Sequence, residues 1–343
     1  MAVTRDDVAD LAGVSAATVS YVVNDGPRPV SEETRKKVLR AIEQLDYQPS
    51  AIARGLRTKK TFLVGIVISD ILNPTLAVIS KTVEDSLLQQ DYSLHVCNSD
   101  ESPNRELIWL RTLIRRRVDG IILLPTGSNR PMLSSVVDSG TELVLIDREV
   151  EGLKSDCVLF NNEAGAYEAV SHLIELGHSR ISLLGLPASL TPGHERRRGY
   201  EKALSDAGLP VIPALTREAG FKAREGYELA GELLDVDPPP TALFAASSRL
   251  AHSVLHQVKQ RGLQMPDDIA LAVFDDVEYY TYTSPSITAV SSNLHEFANR
   301  AVEFLIDRID GSYTGAPRIA RVLHQLEVRE STIGFEGSSS KPA

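Results

Sequence analysis

The sequence has few of the features that mark secreted or membrane proteins. Cys97 and Cys157 are its only cysteines, too few for a disulfide framework. The N-terminus lacks the basic-then-apolar pattern of a secretory signal. The longest apolar runs, such as FLVGIVI at 62–68 and GIILLP at 120–125, fall far short of the roughly 20 residues that a membrane span needs. The sequence therefore predicts a cytoplasmic protein that does not cross a membrane.

The sequence also lacks common enzyme motifs: G-x-G-x-x-G, the P-loop, the nucleophile elbow and H-E-x-x-H are absent. His252 and His256 have helical spacing for a shared metal, but no third ligand accompanies them. The arginine runs 115–117 and 196–198 could bind phosphate, but most of each run fits a solvated helix face. We therefore expect no enzymatic activity, metal or cofactor. An enzyme on the same fold and a transport binding protein are the alternatives.

The charge of the chain is unevenly distributed. Residues 1–60 carry 10 Lys/Arg and 8 Asp/Glu, a net +2, whereas the rest carries 26 and 38, a net −12. Between residues 35 and 60, eight basic residues accompany only two acidic ones. A basic N-terminal segment on an acidic body indicates phosphate contacts at one end of the molecule, with a solvated charged face as the alternative.

The first 48 residues have the pattern of three short helices. Thr4 and Asp7 have capping-box spacing, Gly13 ends the first helix, and Ser15 and Ser31 can cap the second and third. Two helices separated by only Gly13-Val14 are typical of a helix-turn-helix, whose second helix lies in the DNA major groove. The alternative is a three-helix bundle that packs only on the rest of the chain.

The outward face of the second predicted helix is small and uncharged. Ala16 and Ala17 allow close approach to base edges, and their methyl groups can pack on thymine methyls. Tyr21 offers one hydrogen bond to a base. The side chains suited to phosphate oxygens are those of Thr4, Ser15, Thr18, Ser20 and Asn24.

From Phe62 onward, strand-like runs alternate with amphipathic helices, which predicts parallel sheets with right-handed crossovers. The predicted strands cover residues 62–68, 93–97, 120–124, 143–146, 181–185, 242–246 and 269–274. The predicted helices cover residues 75–90, 105–116, 164–176, 195–206, 223–234 and 250–261. This is about twice the content of one doubly wound sheet, so we expect an α/β body of two subdomains.

Polar side chains follow the predicted strands, where open parallel sheets bind ligands. They are Asp70, Asn73, Asn98, Asp100, Asp147, Arg148, Asn161, Asn162, Ser247, Ser248, Asp275 and Asp276. Turn formation or helix capping explains at least half of such residues. Because the pattern repeats in both halves, it favours a cleft for a small polar ligand, with Phe160 and Phe221 as apolar faces.

The chain resembles the LacI/GalR family of transcriptional regulators over nearly its whole length. The motifs that carry the resemblance are TRDDVADLAGVSAATVSYVVN, ETRKKVLRAIEQLDYQPSAIARGLRT, VGIVISDILNP, RRRVDGIILLP, LIELGHSRISLLG, ERRRGY and MPDDIALAVFDD. The resemblance implies a dimeric repressor on a near-palindromic operator. It also implies a body similar to periplasmic sugar-binding proteins, controlled by a sugar, a sugar derivative or a nucleobase-like effector between two lobes.

The resemblance implies the following domains: headpiece 1–48; hinge helix and linker 49–60; first lobe 61–161 with 292–323; second lobe 162–291 with 324–336; and a disordered tail at 337–343. It implies that Leu56 of the hinge wedges into the minor groove. The further DNA contacts it implies are Tyr47, Ser50, Ala53, Arg54 and Arg57.

Motif matching gives Arg196 of R-x-x-G-Y and Asp275 of F-D-D as effector contacts, and we expect them to hold the effector from opposite sides. The rest of the effector set is Asn73, Asp147, Phe160, Phe221 and Ser247. Thr75-Leu76 replace the usual aromatic after Asn-Pro, which argues against a sugar stacked on aromatic rings. Tyr21 stands where some members have Arg, so the operator sequence cannot be copied from a relative.

Overall fold

A computed structural model describes residues 3–23, 28–47 and 60–334. The chain separates into two compact units, residues 1–62 and 63–343. We call them the headpiece and the body.

The described part of the headpiece contains three helices, α1 (Arg5–Ala12), α2 (Ala16–Val23) and α3 (Glu32–Gln44). They surround a small core of Val8, Ala9, Val19, Val22, Val38 and Ala41. Leu11, near the end of α1, is 46% exposed. Helices of eight residues are marginal in water, so this core and the helix caps hold them in place.

The predicted caps of the headpiece are confirmed. The Asp7 N–H donates to Thr4 Oγ1 at 3.3 Å, and the Asp7 carboxylate accepts both the Thr4 hydroxyl and the Thr4 N–H at 2.7 Å. The hydroxyl bond first, and then the N–H bond, lowers the pKa of Asp7. Gly13 adopts a φ of +65°, the left-handed conformation that lets the chain turn at the end of α1. The Thr18 N–H donates to Ser15 Oγ at 3.1 Å and so caps α2.

The body contains two six-stranded sheets. The first sheet consists of β1 (Leu63–Ile68), β2 (Ser93–Asn98), β3 (Gly120–Leu123), β4 (Glu142–Ile146), β5 (Asp156–Phe160) and β11 (Ile319–Val322). The second consists of β6 (Ile181–Gly185), β7 (Thr216–Glu218), β8 (Ala242–Ala245), β9 (Ala270–Phe274), β10 (Thr288–Ser292) and β12 (His324–Glu327). Their orders are β11-β5-β4-β3-β1-β2 and β12-β10-β9-β8-β6-β7, so β4 and β9 hold equivalent positions. All pairs are parallel except β10 with β12.

Helices cover both sheets, and each sheet with its helices forms one lobe. The helices of the body are α4 (Pro74–Leu88), α5 (Pro103–Arg115), α6 (Arg130–Asp138), α7 (Asn162–Glu175), α8 (Thr191–Asp206), α9 (Ala223–Leu234), α10 (Ser248–Arg261) and α11 (Leu294–Asp310). After β10 the chain returns to the first lobe, where α11 packs on α4, β3, β4 and β5. The chain therefore passes between the lobes after β5, after β10 and between β11 and β12.

A glycine allows α7 and α8 to pack closely. A Cβ at Gly199 would lie 2.3 Å from the Glu163 carbonyl oxygen, so no larger residue fits without a shift. The next residue, Tyr200, donates its hydroxyl hydrogen to the Ile181 carbonyl at 2.8 Å. The Gly-Tyr of the ERRRGY motif thereby fixes the helix that carries Arg196.

All seven predicted strands and six predicted helices of the body are present, with ends shifted by a few residues. The structure adds elements that the sequence reading did not predict: β5, β7, β10, β11, β12, α6 and α11. Within the part of the chain that the structure describes, no helix is both long and apolar enough to cross a membrane.

Candidate functional site

The outward face of α2 has the composition that the sequence predicts. Val19 and Val22 point into the headpiece core, whereas Ser15 and Ala17 are exposed. The four remaining predicted contacts of this helix, Ala16, Thr18, Ser20 and Tyr21, are partly exposed. The helix carries no charged residue, so no Lys, Arg, Asp or Glu side chain lies on the face that would meet DNA.

Other predicted DNA contacts have local roles in the headpiece. The hydroxyls of Thr4 and Ser15 serve as helix caps, and Tyr47 is partly buried against the headpiece core. Six predicted contacts lie outside the described residues: Asn24, Ser50, Ala53, Arg54, Leu56 and Arg57. The predicted tail at 337–343 and all of the predicted hinge except Lys60 lie outside them too.

A cavity of about 80 Å³ lies between the lobes of the body, at the carboxyl ends of their strands. It is lined by all seven residues expected to bind an effector: Asn73, Asp147, Phe160, Arg196, Phe221, Ser247 and Asp275. The first three belong to the first lobe and the other four to the second. Residues up to 202 positions apart, Asn73 and Asp275, thus share one cavity.

Two aspartates occupy equivalent places in the lobes. Asp147 follows β4 and Asp275 follows β9, and their φ values are +64° and +74°. Aspartate is among the few residues other than glycine that tolerate this conformation. Burial raises the pKa of Asp147, although the Arg148 and Arg196 charges oppose that shift.

Arg196 is buried in the second lobe and held from several directions. Its Nε donates to Asn162 Oδ1 at 2.8 Å, its Nη1 donates to the Ala246 carbonyl at 2.6 Å, and its guanidinium lies 3.6 Å from the Phe274 ring centre. Its Nη2 is 3.6 Å from Asp275 Oδ1. The expectation that Arg196 and Asp275 act from opposite sides is wrong, because both belong to the second lobe and face each other directly.

Arg148 is the corresponding cation of the first lobe. It donates to both carboxylate oxygens of Glu101, at 2.7 and 2.8 Å, and to the Pro125 carbonyl at 3.1 Å. Its Nε is buried without a hydrogen-bond partner and lies 3.8 Å from Asp147 Oδ2. The guanidinium stands 5.2 Å from the ring centre of Phe221, which belongs to the other lobe.

The other predicted residues combine a structural role with a place at the cavity. Asn73 Oδ1 accepts the Thr75 N–H at 2.9 Å and caps α4, and Ser247 Oγ accepts the Leu250 N–H at 3.3 Å and caps α10. Phe160 stacks on Phe297 of α11, with ring centres 4.1 Å apart. Capping therefore accounts for the residue types at positions 73 and 247.

Four polar residues that line the cavity were not predicted as site residues from the sequence: Ser69, Thr75, Glu101 and Arg249. Thr75 Oγ1 is buried without a hydrogen-bond partner. Arg249 is the second residue of α10, where the helix dipole disfavours a cation. A cation in the first turn of a predicted helix is the signal in the sequence that could have indicated a functional role for Arg249.

The charges of the cavity nearly balance. Its lining contains the carboxylates of Asp70, Glu101, Asp147 and Asp275 and the guanidiniums of Arg148, Arg196 and Arg249. Four negative and three positive groups leave a net charge of −1. The unpartnered Thr75 Oγ1 and Arg148 Nε add one hydroxyl and one donor. Such a lining suits a ligand that offers many hydrogen bonds and no strong charge. Among the described residues, no group of three potential ligands could hold a metal ion.

Known families match both units of the chain. The family described as bacterial regulatory proteins, lacI family, matches residues 4–50, and the periplasmic binding protein-like domain matches residues 170–332. The probable HTH-type transcriptional regulator EndR of Paenibacillus polymyxa is 33% identical over 97% of this chain and 99% of its own length.

Two solved structures are similar over almost the whole chain. The Lac repressor dimer bound to operator and the anti-inducer ONPF has a TM-score of 0.84 and 26% identity, covering 97% of this chain and 99% of that one. The complex of the transcriptional regulator CelR with cellobiose has a TM-score of 0.73 and 30% identity, covering 96% and 99%. With a helix-turn-helix at its N-terminus and a ligand cleft between two lobes, the chain belongs to the lacI family of bacterial regulatory proteins.

Proposed function

We propose that the protein is a homodimeric transcriptional repressor that binds a near-palindromic operator through α2 and is controlled by a neutral, hydroxyl-rich effector in the cleft. The headpiece is residues 1–48, the hinge and linker residues 49–60, and the lobes are 61–161 with 292–323 and 162–291 with 324–336. It works as a cytoplasmic binding protein without enzymatic activity.

The exposed, uncharged face of α2 supports the DNA-binding part of the proposal. One headpiece contacts too few base pairs for useful specificity, so two headpieces on an inverted repeat are needed. The similar Lac repressor structure is a dimer bound to its operator. The proposed contacts are those inferred from the sequence, from Thr4 to Arg57.

The cavity lining is the observation that carries the effector part of the proposal. Each arginine already faces a carboxylate, so an anionic group would meet four carboxylates and only three partnered cations. Hydroxyl groups can donate to Asp147 and Asp275 and accept from Arg148 Nε, which satisfies these atoms without adding charge. A neutral sugar has this chemistry, and the CelR structure holds cellobiose.

Selection of duplexes from a random pool by the full-length protein tests DNA binding. We expect an inverted repeat to be enriched, and binding to it should weaken steeply as salt rises because phosphate contacts release counterions. Equal affinity for the selected duplex and a scrambled one would contradict the proposal.

Thermal denaturation of the full-length protein with a ligand panel tests the effector. The panel pairs neutral sugars with their phosphates and includes nucleobases. A ligand at about 100 times its Kd stabilises the folded protein by about 2.7 kcal/mol. We expect neutral sugars to raise Tm, and we expect Asp275→Asn to lose the shift. Stabilisation by phosphates or nucleobases alone would overturn the proposed effector class while leaving DNA binding intact.

A further inference from the structure

An ion pair far from the strands at which the chain crosses joins the two lobes. Asp70 follows β1 of the first lobe, Arg249 is the second residue of α10 in the second lobe, and the Arg249 Nη2 contacts Asp70 Oδ2. The two residues are 179 positions apart in the sequence, and both line the cavity. The Arg249 side chain is 34% exposed and the Asp70 side chain is 16% exposed, so the pair lies at the rim of the cleft.

The same arginine organises a second contact between the lobes. Arg249 Nη1 donates to the Phe221 carbonyl at 2.5 Å, and the Phe221 ring lies against Arg148 of the first lobe. Arg148 is fixed within its own lobe by the bidentate bonds to Glu101. Because Arg249 and Phe221 belong to the same lobe, a lobe rotation that separates Arg249 from Asp70 also moves the Phe221 ring away from Arg148.

The sheet order shows why this pair has leverage over the lobes. The chain crosses between the lobes next to β5, β10, β11 and β12, which occupy one edge of the two sheets. Asp70 follows β1, four strands from β11, or roughly 19 Å at the usual strand spacing. Rotation of the lobes about the crossing edge separates Asp70 from Arg249 while leaving contacts near that edge, such as Arg321 with Glu195, nearly unchanged.

We propose that the Asp70–Arg249 ion pair is a latch that favours the closed cleft in the effector-free protein and that must open before an effector enters. This latch rests on the proposed function only in its consequence for the effector. Because the pair is partly exposed, its contribution is small and sensitive to salt. The open-to-closed ratio should rise about two- to fivefold when the pair is removed, the range expected for an exposed ion pair.

Distance measurements between spin labels test the latch without any ligand. Exposed Asn104 on α5 and exposed Glu225 on α9 are replaced with cysteine in the full-length protein, whereas Cys97 and Cys157 are buried. Labelled protein is mixed with excess unlabelled protein, so that distances within one chain are measured. Asp70→Asn and Arg249→Gln should each increase the population at longer distance by two- to fivefold.

Two further measurements separate a latch from general damage to the fold. The exchanged pair, Asp70→Arg with Arg249→Asp, should restore most of the closed population. The matched control Glu232→Gln removes the ion pair with Arg217, whose side chain is 30% exposed and whose partner lies in the same lobe, and should leave the distances unchanged. Raising salt should lengthen the wild-type distances but not those of Asp70→Asn.

Identical distance distributions in wild type and Asp70→Asn would overturn the latch, as would an equal shift in Glu232→Gln. These results do not depend on DNA or effector. A protein that fails to select an operator would therefore contradict the proposed function while leaving the test of the latch valid.

Discussion

The two lobes present the same residue at the same topological position, yet its electrostatic surroundings differ. Asp147 and Asp275 follow equivalent strands, both with positive φ, and their side chains are similarly exposed at 17% and 16%. Arg148, the cation nearest Asp147, forms its short bonds with Glu101. Arg196, the cation nearest Asp275, forms its hydrogen bonds with an amide oxygen and a carbonyl oxygen.

This comparison shows that strand order places the aspartates, whereas neighbouring side chains decide how their charge is balanced. Arg196, the cation beside Asp275, forms no hydrogen bond with another carboxylate. Asp147 must share its cation with Glu101, and burial raises its pKa. The first lobe therefore holds the uncompensated charge of the cleft, which a hydrogen-bond donor on a ligand would stabilise.

The largest expected effect comes from removing the cation of the first lobe. Arg148→Met leaves Glu101 buried, only 9% exposed, without its partner, so the free energy of unfolding should fall by about 3–5 kcal/mol. Arg196→Met should cost less, about 2–3 kcal/mol, because it leaves a more exposed carboxylate and two oxygen acceptors.

Urea denaturation of both variants measures this difference. Arg224→Met is the control, because the Arg224 side chain is 89% exposed and its pair with Glu228 lies on the surface of α9. It should leave the urea midpoint of unfolding unchanged. A larger loss for Arg196→Met than for Arg148→Met would reverse the comparison of the lobes.

A smaller effect, of opposite sign, is expected for Asp147→Asn. Since the pKa of Asp147 in the folded protein lies above its ordinary value of 3.8, ionisation of this carboxyl destabilises the fold. That penalty is absent below the unfolded pKa and grows as pH rises through the folded pKa. At neutral pH, Asp147→Asn should therefore raise the free energy of unfolding by about 0.5–2 kcal/mol.

A series of denaturation curves from acid to neutral pH checks this sign. The advantage of Asp147→Asn should disappear at the acid end, where the wild-type carboxyl is protonated. Asp275→Asn, which takes a partner from Arg196, should show no such gain. A pH-independent advantage for Asp147→Asn would show that its origin is not ionisation.

The smallest differences are expected at the helix caps, where the lobes are alike. Asn73→Ala and Ser247→Ala should each lower the free energy of unfolding by about 0.5–2 kcal/mol, because each leaves a helix N–H without its acceptor. The loss should be smaller for Ser247, whose bond is longer at 3.3 Å than the 2.9 Å bond of Asn73. Replacement by glycine should cost only a few tenths of a kcal/mol. Losses that glycine does not reduce would argue against capping.

The sequence predicted the central strands and the strand-end residues because both follow from local pattern. A buried parallel strand is a continuous apolar run, as in β9, and its carboxyl end faces the cleft by topology. Strands such as β12, with the sequence HQLE, carry no apolar run, because they pair at the sheet edge and are only half-buried. Helix α8 begins at Thr191, whereas the sequence predicts a start at residue 195. The prediction began too late because Pro192 and Gly193 are typical of a turn, but proline also suits the first turn of a helix.

The partners of the site residues could not be predicted in the same way. Arg249 and Asp70 lie 179 positions apart, and no local pattern specifies that they meet. The facing of Arg196 and Asp275 depends on how α8 packs against the sheet, which Gly199 and Tyr200 determine through close contacts. The periodicity of the sequence therefore predicts where the site residues lie along the chain. Which residues contact each other follows only from the packing of the folded protein.

Binding of the selected operator duplex, measured by fluorescence anisotropy while the stabilising ligand is titrated, tests the central claim that the cleft controls DNA binding. In the wild type the ligand should change operator affinity by about 5- to 150-fold, the usual range of coupling between two sites. Asp275→Asn should bind the duplex without ligand within about twofold of wild type and should show no response to ligand. A normal ligand response in Asp275→Asn would contradict the account.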